Sequence, residues 1–264
     1  MELREQEFKE EEFDEPDFDE EEEEEELSPQ AGRKWIKKTI AALLAFVLLG
    51  NILVFWPQVY SLPAIQFLKK SAELSKIEII QQYKQAVVVV KADNRKGTGF
   101  NIDPRGYIIT NHHIVEDEKH STVSFATGET YQTEIVVNDP AIDIAILRIK
   151  KGSGDPELNL PLLEIEPNGK ADPGLPVYII GNPLFFKRIA NEGSVMGMTL
   201  LEDWELPVMV IDAPIYRGNS GSPVINDRGK VIAVVFATTK IPVVDKTTKV
   251  GLATPIGYLR KYID

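Results

Sequence analysis

From Gln85 onward the chain consists of short runs of β-branched and other apolar residues set between turn signals. Val87–Val90, Tyr107–Ile109, Thr122–Phe125, Glu134–Val137, Ile144–Ile149, Val177–Ile180, Val208–Ile211, Val224–Ile225 and Val231–Phe236 all have strand length. Lys96-Gly97, Arg105-Gly106, Thr127-Gly128, Gly152-Ser153-Gly154 and Arg228-Gly229 punctuate them. Such a rhythm predicts an all-β domain of roughly 180 residues. A short helix over Ile256–Tyr262 ends it.

Upstream the pattern changes. Thr39 to Trp56 is apolar over 18 residues except at Gly50 and Asn51. As a helix it would span roughly 27 Å, and with Ile36 it is long enough to cross a bilayer. Trp35 and Trp56 bracket it as interfacial anchors and Pro57 stops it. Arg33, Lys34, Lys37 and Lys38 crowd its N-terminal side, whereas the next basic residues beyond it are Lys69 and Lys70. The positive-inside rule therefore places residues 1–34 in the cytoplasm and the β domain outside it, in the periplasm or at the cell surface. A cleaved signal peptide is the competing reading. About 33 polar residues precede the apolar run, too long an n-region for that, so the prediction is an uncleaved anchor over 35–57. Residues 58–76, with a partly helical pattern after Pro63, read as a stem, and 77–264 as the domain.

Charge alters the picture only once it is divided. The formal net charge is −12, but residues 1–26 hold 17 Asp and Glu against Arg4 and Lys9, a net of −15. The remaining 27 basic and 24 acidic residues leave the rest at +3. An acidic segment of this kind cannot bury enough apolar surface to offset its ordering entropy, which predicts a disordered tail over 1–34. Phe8, Phe13 and Phe18 recur in it at a period that suits neither helix nor strand. It reads as a solvated tail, or as a linear motif that docks on a cytoplasmic partner. There is no cysteine, which excludes disulfides and thiolate metal sites, and three histidines without a His-x-x-x-His spacing predict no metal. No cofactor is predicted, and nucleic acid is not among the expected partners.

Candidate chemistry comes from three segments in order: Thr110-Asn111-His112-His113, Asp143-Ile144-Ala145-Ile146-Leu147 and Gly218-Asn219-Ser220-Gly221-Ser222-Pro223. A serine hydroxyl is a poor nucleophile at neutral pH. It needs an imidazole to take its proton and a carboxylate to orient that imidazole. His113, Asp143 and Ser220 can fill those roles. Asp143 heads an apolar strand, where a carboxylate is costly unless paired, while Asp139-Pro140 reads as turn chemistry. The glycines around Ser220 permit a tight turn, in which backbone N–H groups of Gly218, Asn219 and Ser220 form the candidate oxyanion hole.

These segments, with Gly97-Thr98-Gly99-Phe100, Gly106–Val115 and Gly181-Asn182-Pro183, resemble trypsin-like serine proteases of the HtrA or Deg type over about residues 77–264. The resemblance implies a chymotrypsin-like double β-barrel and a serine endopeptidase acting on exposed or misfolded polypeptides, with a homotrimer as one assembly found in the family. It places the base at the fourth position of Thr-Asn-x-His, which is His113. On an extended segment His112 would then point to the opposite face. The resemblance also sets Val235, Phe236 and Ala237 beside the substrate, with an apolar pocket for an aliphatic residue. Two departures stand out. Arg217 occupies a position where relatives often carry proline, and no PDZ domain is expected after the barrels. The alternative reading is a protease-fold peptide-binding or sensor module whose triad is held misaligned.

Overall fold

The Val87–Val90 run is apolar at every position because both of its faces are buried. The computed structural model describes residues 35–47, 63–118, 120–152, 157–169, 172–184, 186–202, 204–243 and 246–263. In it the run opens β1 (Val87–Ala92), which is followed by β2 (Arg95–Asp103), β3 (Tyr107–Thr110), β4 (Ser121–Ser124), β5 (Thr130–Asp139) and β6 (Ile144–Ile149). These close into a barrel of order β1-β2-β3-β6-β5-β4, with β4 pairing back onto β1. A second barrel repeats the plan with β7 (Pro176–Gly181), β8 (Ile189–Thr199), β9 (Val208–Asp212), β10 (Pro223–Asn226), β11 (Val231–Val243) and β12 (Lys246–Pro255). Closure leaves neither sheet with a free edge. The fold is the all-β, chymotrypsin-like double barrel that the sequence predicts.

Three apolar clusters hold this together. Val88, Val90, Ile108, Val123 and Leu147 fill the first barrel, and Val177, Ile179, Val195, Ile211 and Val224 fill the second. The third lies between them: Val87, Phe100, Ile109 and Ile144 from one barrel meet Ile180, Ile225, Val231 and Val234 from the other. Alternate residues of β1 thus serve the barrel interior and the junction, which accounts for a run without polar alternation. The junction is where the candidate residues meet.

Between residue 63 and β1 the described chain forms two helices. α2 (Pro63–Leu74) lies on β8: Phe67 and Leu74 are buried, the Ser71 hydroxyl accepts from the Ala190 N–H at 3.0 Å, and Lys70 pairs with Glu192 at 2.6 Å. α3 (Glu78–Ala86) buries Ile80 in the junction. The segment read as a stem is therefore packed against the second barrel along α2. At the other end a 3₁₀ turn, Ile256–Leu259, leads into the short helix α5 (Arg260–Ile263).

Apart from these, α1 covers residues 35–47, and its Trp35, Ile40, Leu44 and Phe46 side chains are exposed. Among the described residues no helix is long and apolar enough to cross a membrane. The rest of the predicted span, 48–57, and the acidic tail, 1–34, lie outside the described residues.

Candidate active site

The sequence Asn111-His112-His113-Ile114-Val115 leaves β3 and turns at once into the one-turn helix α4 (His112–Val115). This corrects the expectation of an extended segment. The two histidines separate because they sit on successive helical positions, not because they alternate across a strand. His112 Nδ1 lies 2.7 Å from Asn138 Oδ1 and its Nε2 lies 3.4 Å from Glu116 Oε1. His113 faces Asp143.

Asp143 ends the 3₁₀ turn Pro140–Ile142 in the left-handed conformation, φ 50 and ψ 46, immediately before β6. Aspartate tolerates that region better than most residues, and the surroundings hold it there. The Asn111 amide donates to the Asp143 carbonyl at 2.9 Å, and the Asp139 carboxylate caps the turn by accepting from the Ala141 N–H at 3.0 Å. The Asp143 carboxylate then accepts twice from His113, from the backbone N–H at 3.0 Å and from Nδ1 at 2.8 Å. Two contacts to one residue fix the ring plane and assign the proton to Nδ1, leaving Nε2 as the acceptor in neutral imidazole.

Ser220 belongs to the second barrel, on the turn between Ile215 and β10. Its loop is tied to the first barrel. The Thr98 N–H donates to the Ser220 carbonyl at 2.8 Å, and the Thr98 hydroxyl donates to the Gly218 carbonyl at 2.7 Å while accepting from the Asn182 N–H at 2.9 Å. Gly221 has φ +85, and a Cβ there would stand 1.8 Å from the Thr98 carbonyl, so only glycine lets β2 approach so closely. Gly218 has φ +99. The Asn219 N–H donates to the Tyr216 carbonyl at 3.0 Å, which removes it from the predicted donor set and leaves Gly218 and Ser220.

The Ser220 hydroxyl donates to the Phe236 carbonyl at 3.2 Å. Phe236 is the bulged residue of β11, between Val235 and Ala237, and the bulge turns its carbonyl toward the serine. Trp204 stacks on its ring, with centroids 4.6 Å apart. Of the predicted substrate-lining residues, Phe236 and Ala237 are half-buried, but Val235 is 1% exposed and part of the second barrel's core. Its N–H and carbonyl are committed to Ser222 and Gly221, so Val235 is corrected to a structural residue.

His113 and Ser220 open onto one cleft of about 510 Å³, walled by Arg95, Lys96, Ile114, Asn182, Leu184, Arg217 and Gly218. The Phe236 carbonyl, Thr98 and Tyr216 were not legible as site residues, because a backbone acceptor and a strand-borne clamp carry no side-chain signature. Thr98 sits inside the Gly97-Thr98-Gly99 motif, whose flanking glycines are the signal the sequence carries for it.

The family model of the trypsin-like peptidase domain matches residues 97–234. A probable periplasmic serine endoprotease, DegP-like, from Pseudomonas putida is 33% identical over 140 residues, 52% of this chain and 28% of that protein. Its counterpart in Chlamydia pneumoniae is 36% identical over 143 residues, 53% of this chain and 28% of that protein. This chain thus matches well under half the length of those relatives. Among solved structures, the serine endoprotease from Yersinia pestis superposes with a TM-score of 0.59 at 25% identity, covering 69% of this chain and 63% of that one. A protein of M. tuberculosis in its inactive form gives 0.57 at 25% identity, over 70% and 87%.

Proposed function

We propose, from the premise that this chain belongs to the family of trypsin-like peptidase domains, that it is a membrane-anchored serine endopeptidase. It cleaves exposed or misfolded polypeptides outside the cytoplasm. The observation that carries this reading is the double contact of Asp143 with His113, at 3.0 and 2.8 Å, in the cleft that also holds Ser220.

The chemistry follows from that contact. With its proton held on Nδ1, His113 offers the Nε2 lone pair to the Ser220 hydroxyl, once that hydroxyl turns from the Phe236 carbonyl. The Ser220 oxygen adds to the peptide carbonyl as its proton passes to Nε2. The resulting oxyanion is met by the Gly218 and Ser220 N–H groups, whose position depends on the Thr98 clamp. The imidazolium, balanced by Asp143, gives the proton to the departing amine, and the C–N bond breaks to leave an ester on Ser220. Water then takes the place of the amine, and the same proton route releases the acid. The Ser222 hydroxyl, buried without a hydrogen-bond partner, takes no part.

The anchor is supported by the apolar stretch 39–56, by the basic residues on its N-terminal side and by the unburied apolar side chains of α1. The periplasmic designation of the DegP-like relatives favours the same orientation. A second reading is favoured by the Ser220 to Phe236 bond: a peptide-binding module whose hydroxyl stays turned from the imidazole. Treating membranes that contain the full chain with a fluorophosphonate separates the two. A covalent adduct on Ser220 that disappears in His113→Ala is expected. A folded protein without an adduct would overturn the enzymatic reading in favour of binding alone.

A further inference from the structure

The cleft beside His113 and Ser220 is cationic. Arg95, Lys96 and Arg217 line it, and among the described residues no carboxylate does. Arg95 is already engaged, with Glu116 at 3.3 Å, Glu118 at 4.0 Å and the His113 carbonyl, and so serves to tie α4 in place. Lys96 and Arg217 are different. The Lys96 ammonium donates to the Leu184 carbonyl at 3.3 Å, and burial, then the charges of Lys91 and Lys187, hold it below its ordinary range. Arg217 is exposed and has no carboxylate partner among the described residues. Two cations in one cleft, one crowded by like charges, form a place where an anion lowers the energy of both.

Which half of a substrate lies there follows from the chemistry. The departing amine receives its proton from His113 Nε2, so the chain that leaves with it runs along the His113–Ile114 wall. Phe236, whose carbonyl accepts from the Ser220 hydroxyl, and Ala237 do not line this cleft. We propose that Lys96 and Arg217 select substrates that carry Asp or Glu in the first two positions after the scissile bond. The inference rests on the endopeptidase reading and adds its substrate class.

The test uses the full chain in detergent or in membranes. A peptide that it cleaves is identified from a casein digest, and quenched-fluorescent versions are made that differ only in the two positions after the cut: Glu-Glu, Ala-Ala or Lys-Lys. Glu-Glu is expected to exceed Ala-Ala in kcat/KM by roughly tenfold at low salt, about two- to fivefold from each exposed cation. The advantage shrinks as salt is raised. Lys96→Glu is expected to shift the ratio toward Lys-Lys, and Arg217→Gln to lower it without reversing it. The same peptides are also scored by how far they slow fluorophosphonate labelling of Ser220, which reads the preference with or without turnover. Labelled Ser220 with equal kcat/KM and equal protection across the three peptides would overturn the acidic preference alone. Absence of both labelling and cleavage would remove the endopeptidase, and the preference with it.

Discussion

The two barrels contribute to the cleft in different ways. The first supplies a finished unit: His113 and Asp143 are joined by two hydrogen bonds, and the elements that carry them are braced by Asn111 and the Asp139 cap within the same barrel. The second supplies Ser220, the proposed nucleophile, on a loop that depends on its neighbour. Thr98 of the first barrel holds the Ser220 and Gly218 carbonyls, and the serine hydroxyl rests on Phe236. A proton acceptor can be preassembled locally because its geometry depends on one partner. An oxyanion donor pair must be aimed at a group that arrives from outside, and its position is set across the barrel junction.

Four measurements break or sharpen that contrast. Ser220→Ala is expected to lower kcat on a cleavable peptide by roughly 10⁴–10⁶-fold, with peptide binding retained. Residual turnover near the original rate would place the nucleophile elsewhere. Asp143→Asn keeps the shape but loses the acceptor that holds the proton on Nδ1, and a fall of about 10⁴-fold in kcat is expected. A much smaller loss would show that the backbone contact alone orients the ring.

Thr98→Val tests the dependent half. It removes the clamp on Gly218 and the acceptor for the buried Asn182 N–H, so kcat is expected to fall by about tenfold with KM little changed, and stability by about 1–3 kcal/mol. Fluorophosphonate labelling rate and urea unfolding read the two effects separately. If labelling is unchanged while stability drops, the clamp holds the fold and not the oxyanion donors.

The smallest effect concerns Asp139, which caps the turn before Asp143. Burial pushes its carboxyl up, but hydrogen bonds from Tyr262 at 2.6 Å and Lys261 at 2.9 Å outweigh that and hold it below its ordinary value. The unfolded chain therefore binds the proton more readily. The stabilisation is complete above the unfolded value, about pH 4, and is lost as the pH falls through the lower folded value. Tyr262→Phe with Lys261→Met should flatten that acid dependence in urea unfolding between about pH 2 and pH 5. An unchanged slope would show that α5 does not bias the turn.

Strands with an apolar core face were readable, because burial on two faces leaves runs such as Val87–Val90 and Val231–Val235. β2, β8 and β12 were not. Arg95–Asp103, Ile189–Thr199 and Lys246–Pro255 are rich in glycine, threonine and charge, and they are strands because neighbouring strands satisfy their backbones. The stem showed the same limit. Its helical pattern was visible, but the edge-to-face contact of Phe67 with Tyr216, centroids 4.7 Å apart, joins α2 to the segment leading into the nucleophile loop, and no spacing in the chain announces it.

By itself the sequence determined which side chains could form a proton relay and in what order they occur, because His113, Asp143 and Ser220 lie in short motifs whose residue types the chemistry requires. It also determined the division into an acidic leader, an apolar stretch and a β domain. Only the tertiary structure decided that the Asn219 N–H and the Val235 side chain are spent on the fold, that the resting hydroxyl faces Phe236, and that Lys96 and Arg217 share one cleft. Residue types are written into the chain. Whether a donor is free depends on the turn and strand pairing around it, as with Asn219 and Tyr216 or Ser220 and Phe236, whereas Lys96 and Arg217, more than 100 positions apart, share a cleft only because one barrel packs against the other.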